Sequence, residues 1–155
     1  IMADKPMLQT IGYLMVQVSR AHRNQAGAVL AELGLHIGQE ILLMYLWEND
    51  GLIQSELTEL MQVEAPTLTK MLNRMEKAGL LERRRDAVDA RVCRVYLTQM
   101  GRELQAPVTD AWNVLEQRIL NDLTRSEQLL FRRLLLQVRS NLTPPSPSRN
   151  KFLGS

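Results

Sequence analysis

Thr67, Thr69 and Lys70 follow Pro66 within a few residues, and Arg74 lies one helical turn beyond Lys70. On a helix, Thr67, Lys70 and Arg74 share a face, because residues three and four apart stack above one another. Leu68, Met71, Leu72 and Met75 fill the other positions and must face inward. Such a polar face suits the edges of base pairs. Short side chains allow close approach, a threonine methyl can meet a thymine methyl, and a lysine can reach a guanine or a phosphate. A second unit is Arg91 with Asp89 two residues earlier. One arginine on a two-stranded ribbon can enter the minor groove, whose negative potential attracts it, and Asp89 would orient its guanidinium. Gln54 and Ser55, at the start of another short helix, can donate to phosphates. The competing reading is a solvated helix face and a surface ion pair of little worth.

The charge distribution favours the nucleic-acid reading. The net charge of the 155 residues is only +2. Residues 70–94, however, carry eight Lys/Arg against four Asp/Glu, while the rest carries eleven against thirteen. A basic middle between neutral-to-acidic ends is the footprint of a phosphate-binding segment. The sequence holds no nucleophile elbow, phosphate loop, metal-ligand spacing or paired catalytic carboxylates, so no enzyme and no cofactor is expected. The two histidines, His22 and His36, lie on different segments and make no metal site. The single cysteine, Cys93, excludes an internal disulfide framework and any multi-cysteine zinc site. No apolar run approaches the roughly 18–20 residues a membrane span needs. The start has no signal-peptide pattern, so the expected compartment is the cytoplasm and no membrane partner is expected.

The elements that must position these residues are mostly helical. Leu and Met are abundant and aromatics are 5% of the chain, which favours a helical core. Apolar spacings predict an amphipathic helix over 8–32, ended by Gly34, and a buried helix over 38–48. Asn49-Asp50-Gly51 is a turn signal. Two short helices follow, 54–61 and 65–78, with Pro66 in the first turn of the second and Gly79 at its end. Together they make a helix-turn-helix candidate. Leu80 to Arg85 and Arg91 to Leu97 read as two antiparallel strands joined by a charged loop. A long helix over 99–123 contains Pro107, which marks a kink or a late start. Thr124 and Glu127 have capping-box form and open a last helix over 126–141. Prolines and serines after Thr143 spell a disordered tail. The long striped helices at both ends need a partner surface, and a twofold dimer is the simplest way to cover them.

Residues 33–101 resemble the MarR family. The resemblance rests on Leu33-Gly34-Leu35, Gln54-Ser55-Glu56-Leu57, Leu72-Asn73-Arg74-Met75-Glu76-Lys77-Ala78-Gly79-Leu80, and Asp86-Ala87-Val88-Asp89-Ala90-Arg91 running into Val95-Tyr96-Leu97-Thr98. It implies a mainly α fold with a small two-stranded β wing: a winged helix-turn-helix over 38–98, flanked by dimerisation helices over 8–32 and 99–142. These form a single domain over 1–142, with the disordered tail over 143–155. It implies DNA contact through Gln54, Ser55, Pro66, Thr67, Thr69, Lys70, Arg74, Asp89 and Arg91. It also implies a cleft for a small aromatic or phenolic ligand near the junction of the dimer arm and the DNA-binding unit, where His36, Tyr13 and Trp47 are candidates. Two departures stand out. Ile53 replaces the usual Ser or Thr helix cap, a loss of about 1 kcal/mol unless Ser55 takes over. Ala87 and Ala90 replace a proline and an arginine of the wing, which predicts a less rigid wing with fewer phosphate contacts.

The function expected is therefore a ligand-responsive repressor, a homodimer that reads a pseudo-palindromic duplex. The alternative is a winged-helix protein-interaction module without specific DNA readout, which would need no basic face. Some MarR relatives sense peroxide through a cysteine at the beginning of the first helix, where this chain has none; Cys93 on a strand reads as a small buried hydrophobe, with redox sensing the alternative. Peroxide sensitivity of DNA binding should therefore be the same in wild type and Cys93→Ser, and a response lost with the thiol would make Cys93 a sensor.

Overall fold

A computed structural model describes residues 6–145. The chain divides into two compact units, residues 1–115 and residues 116–155. In the first, a short 3-10 turn leads to Thr10, whose side chain accepts from the Tyr13 N–H at 3.1 Å and caps helix α1 (Ile11–Glu32). Helix α2 (Gln39–Glu48) follows, with Leu42, Leu43 and Leu46 fully buried, as its nearly all-apolar surface requires. Next come strand β1 (Leu52–Ile53), helices α3 (Gln54–Met61) and α4 (Ala65–Lys77), strands β2 (Leu81–Arg85) and β3 (Cys93–Leu97), and helices α5 (Gln99–Glu103) and α6 (Gln105–Leu120).

The two wing strands pair antiparallel as the sequence predicts, Leu81 opposite Leu97 and Arg85 opposite Cys93. A third strand was not predicted. β1 pairs antiparallel with the other edge of β3, Leu52 opposite Val95, giving the order β1-β3-β2. Side chains alternate across a strand. Leu81, Val95 and Leu97 share the core side and are buried; Cys93, expected to be buried, is only partly so, because it pairs with Arg85 at the end of the strands away from the core. Glu82, Arg84, Arg94 and Tyr96 take the other side, where the Arg84 guanidinium lies 4.6 Å from the Tyr96 ring centre. Leu57 of α3 and Leu68, Leu72 and Met75 of α4 complete the same core.

The helix predicted over 99–123 is two. α5 ends at Glu103 and α6 opens at Gln105, so Pro107 falls in a first turn, where its missing N–H costs no hydrogen bond. The first α6 bond runs from the Val108 N–H to the Leu104 carbonyl, 3.0 Å. Of the two possibilities left by the sequence, the late start is the one found.

In the second unit, Thr124 and Glu127 form the predicted capping box. The Glu127 N–H donates to Thr124 Oγ1 at 3.2 Å and the Thr124 N–H to Glu127 Oε2 at 2.8 Å. They open helix α7 (Arg125–Leu142), which has no buried residue and exposes Leu129, Leu130, Phe131, Leu134 and Leu135. The expected tail falls mostly on residues outside those described.

One close approach governs how the first unit is assembled. A Cβ on Gly101 in α5 would overlap the Leu80 carbonyl and press on Leu97 Cδ2. Because backbone cannot give way as a flexible side chain does, Gly101→Ala should destabilise the fold by about 1–3 kcal/mol. Denaturant unfolding at fixed protein concentration would check this; an unchanged midpoint would show that the helix can lift off at no cost.

Candidate nucleic-acid interface

α4 presents the face expected of it. Pro66, Thr67, Thr69, Lys70 and Arg74 are exposed, while Leu68, Leu72 and Met75 hold the helix to the core. Thr69 Oγ1 donates to the Ala65 carbonyl at 3.0 Å, so its hydroxyl proton is engaged within the helix. The N-cap residue Glu64 makes no side-chain cap. Lys70, Arg74 and Lys77 enter none of the ion pairs found among the described residues.

α3 begins with Gln54, half-buried, and Ser55, exposed. Ile53 has no acceptor, and Ser55 does not replace it as a cap. Only the reciprocal half of a capping box remains, the Ile53 N–H donating to Glu56 Oε2 at 3.3 Å.

The wing tip is organised by two carboxylates. Asp86 accepts from the backbone N–H of Val88 at 3.1 Å and of Asp89 at 3.0 Å, and from Arg94 Nε at 2.6 Å. The Arg94 contact, more than any other, holds the Asp86 carboxyl below its usual range. Asp89 receives Arg91 through both guanidinium arms, Nε to Oδ1 at 3.1 Å and a terminal nitrogen to Oδ2 at 3.3 Å. That pairing is the main cause of the lowered Asp89 pKa. The Arg91 side chain is nevertheless 91% exposed. Asp89 thus holds the Arg91 guanidinium by both arms and leaves it exposed.

The other wing arginines are internal ties. Arg83 bonds Glu76 Oε2 from Nε at 2.8 Å and Asn73 Oδ1 at 2.6 Å, joining β2 to α4. Arg84 pairs with Glu82, and Arg85 donates to the Ala90 carbonyl at 2.9 Å. Sequence reasoning missed Asp50. Its Oδ1 accepts the N–H of Leu97 at 2.8 Å and of Gly51 at 3.1 Å, and its Oδ2 meets Arg102 at 3.4 Å. The Asn-Asp-Gly turn signal located it but could not give a partner 47 residues away.

The family model described as MarR matches residues 36–93. The organic hydroperoxide resistance transcriptional regulator of Bacillus subtilis is 33% identical over 98 residues, covering 63% of this chain and 67% of its own length. The HTH-type transcriptional repressor Rv2887 of Mycobacterium tuberculosis is 28% identical over 131 residues, 84% of this chain and 94% of that protein. The chain belongs to the MarR family. Among solved structures, the S. aureus MepR–DNA complex superposes with a TM-score of 0.80 at 27% identity, over 86% of this chain and 98% of that one.

For this MarR-family chain, the three ligand candidates are not brought together. Trp47 lines a cavity of about 450 Å³ between α2 and α6, with Ile41, Met44 and Val108. Tyr13 lies in the first turn of α1 and His36 on the exposed loop before α2, and neither lines that cavity. No helix among the described residues is long and apolar enough to cross a membrane.

Glu40, also missed, is 3% exposed at the start of α2. Its Oε2 accepts the Gly38 N–H at 2.9 Å. Burial raises its pKa above the ordinary 4.5, opposed by backbone hydrogen bonds and by His22. The folded state therefore binds this proton more tightly than the unfolded chain, and stability falls as pH rises from 4.5 through the raised value. Glu40→Gln keeps an acceptor for Gly38 and removes the charge. Its thermal midpoint should exceed the wild-type value at pH 7 and converge on it near pH 4; a gap that does not change with pH would mean the carboxylate carries no burial penalty.

Proposed function

We propose that the chain is a transcription regulator that reads duplex DNA sequence-specifically as a homodimer and releases it in response to a small ligand. The observation that carries this reading is the face of α4. Thr67, Lys70 and Arg74 are exposed and, among the described residues, without ion-pair partners along one side, while Leu68, Leu72 and Met75 fix the other. Arg91, braced by Asp89 and exposed, supplies the flanking contact.

In this mechanism α4 enters the major groove, with its threonines and Lys70 at base edges and Arg74 at the backbone. Gln54 and Ser55 hold phosphates beside it. Arg91 enters the adjoining minor groove. The exposed apolar residues Ile11, Leu14 and Val18 of α1 and Leu130, Leu134 and Leu135 of α7 suit a second copy of the chain. Twofold symmetry then places two α4 helices on half-sites about one DNA turn apart. A ligand regulates such a dimer when it binds more tightly to a form whose helices are wrongly spaced. The DNA-bound MepR structure supports the duplex reading, and the relative named as a repressor supports repression. The cytoplasm is the compartment this reading implies, and no catalytic role is part of it.

The deciding experiment selects from random duplexes over a salt series, with wild type and Lys70→Ala/Arg91→Ala. Wild type should enrich a pseudo-palindrome. The variant should lose it, with a salt slope shallower by roughly two to four, since four cations per dimer are removed. Weak binding without enrichment by wild type would leave the protein-interaction module as the better account.

A further inference from the structure

We propose that the cavity between α2 and α6 takes a compact organic cation rather than a phenolic or carboxylic anion. Its volume, about 450 Å³, is within the range of small-molecule sites. The choice of ligand follows from the hydrogen-bonding capacity of the walls. An anion needs donors or a positive charge, and among the described residues no Lys, Arg or His lines the cavity. The donors that do line it are already committed. Tyr45 Oη donates to the Leu60 carbonyl at 3.1 Å, Trp47 Nε1 to the Gly101 carbonyl at 2.9 Å, and Thr109 Oγ1 to the Gln105 carbonyl at 2.7 Å. Only the Gln105 amide is left to donate.

The same walls favour a cation. Glu48 stands exposed at the mouth, and among the described residues its carboxylate has no ion-pair or hydrogen-bond partner. With their polar tips bonded elsewhere, Tyr45 and Trp47 offer the cavity two aromatic rings, whose π-systems attract cations. Ile41, Met44 and Val108 supply apolar surface for the ligand's body. An acid at the mouth, aromatic rings and an apolar floor select for positive charge and against negative charge.

The proposal deepens the regulator reading by naming the ligand class, and it rests on that reading for its biological consequence. The test uses tetraphenylphosphonium and tetraphenylborate, two probes of near-identical shape and opposite charge. Each is titrated calorimetrically into the full chain, while binding to the selected duplex is followed separately. Tetraphenylphosphonium should bind saturably and more tightly than tetraphenylborate. Glu48→Gln should weaken it about three- to fivefold and narrow the preference. Thr109→Arg, also at the exposed rim, should weaken the cation and favour the anion. Equal or tighter binding of the borate, indifference to both substitutions, or no saturable binding overturns the assignment. Loss of duplex selection with intact cation binding would remove the regulator reading alone; intact selection without cation binding would remove this inference alone.

Discussion

The relation between α4 and the wing depends on the contact between the Gly79–Leu80 turn and the segment that follows β3. α4 closes with the Leu80 N–H on the Met75 carbonyl at 3.0 Å, and Gly79 takes φ +79°, which favours glycine. The chain then leaves along β2, returns along β3 and meets the same turn again. The Thr98 N–H donates to the Leu80 carbonyl at 3.1 Å and Thr98 Oγ1 to the Gly79 carbonyl at 2.5 Å. Gly101 lets α5 lie directly on that carbonyl. The hairpin is thus pinned at its base to the end of the helix it must accompany. A polar face and an exposed arginine are useful together only when the distance between them is fixed, and this joint fixes it.

From that base, hydrogen bonds run to the wing tip through carboxylates. Asp50 holds the end of β3 by the Leu97 N–H, and the neighbouring Gly51 carbonyl accepts from Arg94 at 3.0 Å. Arg94 in turn holds Asp86, which gathers the tip backbone. This network changes the meaning of the basic segment. Of its eight cations, Arg83, Arg84, Arg91 and Arg94 pair with acids, whereas among the described residues Lys70, Arg74 and Lys77 of α4 do not. Counting charges in sequence located the right region but credited the wing with cations that serve as struts.

What was legible in the sequence was what repeats along it. The spacing of Leu68, Met71, Leu72 and Met75 gave α4 and its outward face, and the Thr124–Glu127 pair gave the start of α7. What was not legible depended on partners far along the chain. β1 is two residues long and exists because Val95 offers an edge to Leu52; no period can be read from two residues. Glu40 is polar at a buried site, against the trend for acids, and is tolerated because the Gly38 N–H meets it. Trp47 lines the cavity between α2 and α6, whereas Tyr13 and His36 lie outside it, because a position near the junction of two units in sequence carries no distance.

Helix α2 shows how ligand and DNA sites can be linked without a long relay. Two of its cavity-lining aromatics reach neighbouring helices with their other ends, Tyr45 to the Leu60 carbonyl on α3 and Trp47 to the Gly101 carbonyl on α5. Gly101 is the residue packed on the joint that orients the wing. On the proposed function, a ligand that rotated either ring would pull on an element packed beside the proposed DNA-binding face. Such coupling has a requirement of its own: the ligand must fit one ring position better than the other, because equal fit shifts no population however tightly it binds. Tyr45 and Trp47 are each tied by a single hydrogen bond, so a ligand that displaced one ring would have to offset about 1–3 kcal/mol for the donor left unsatisfied.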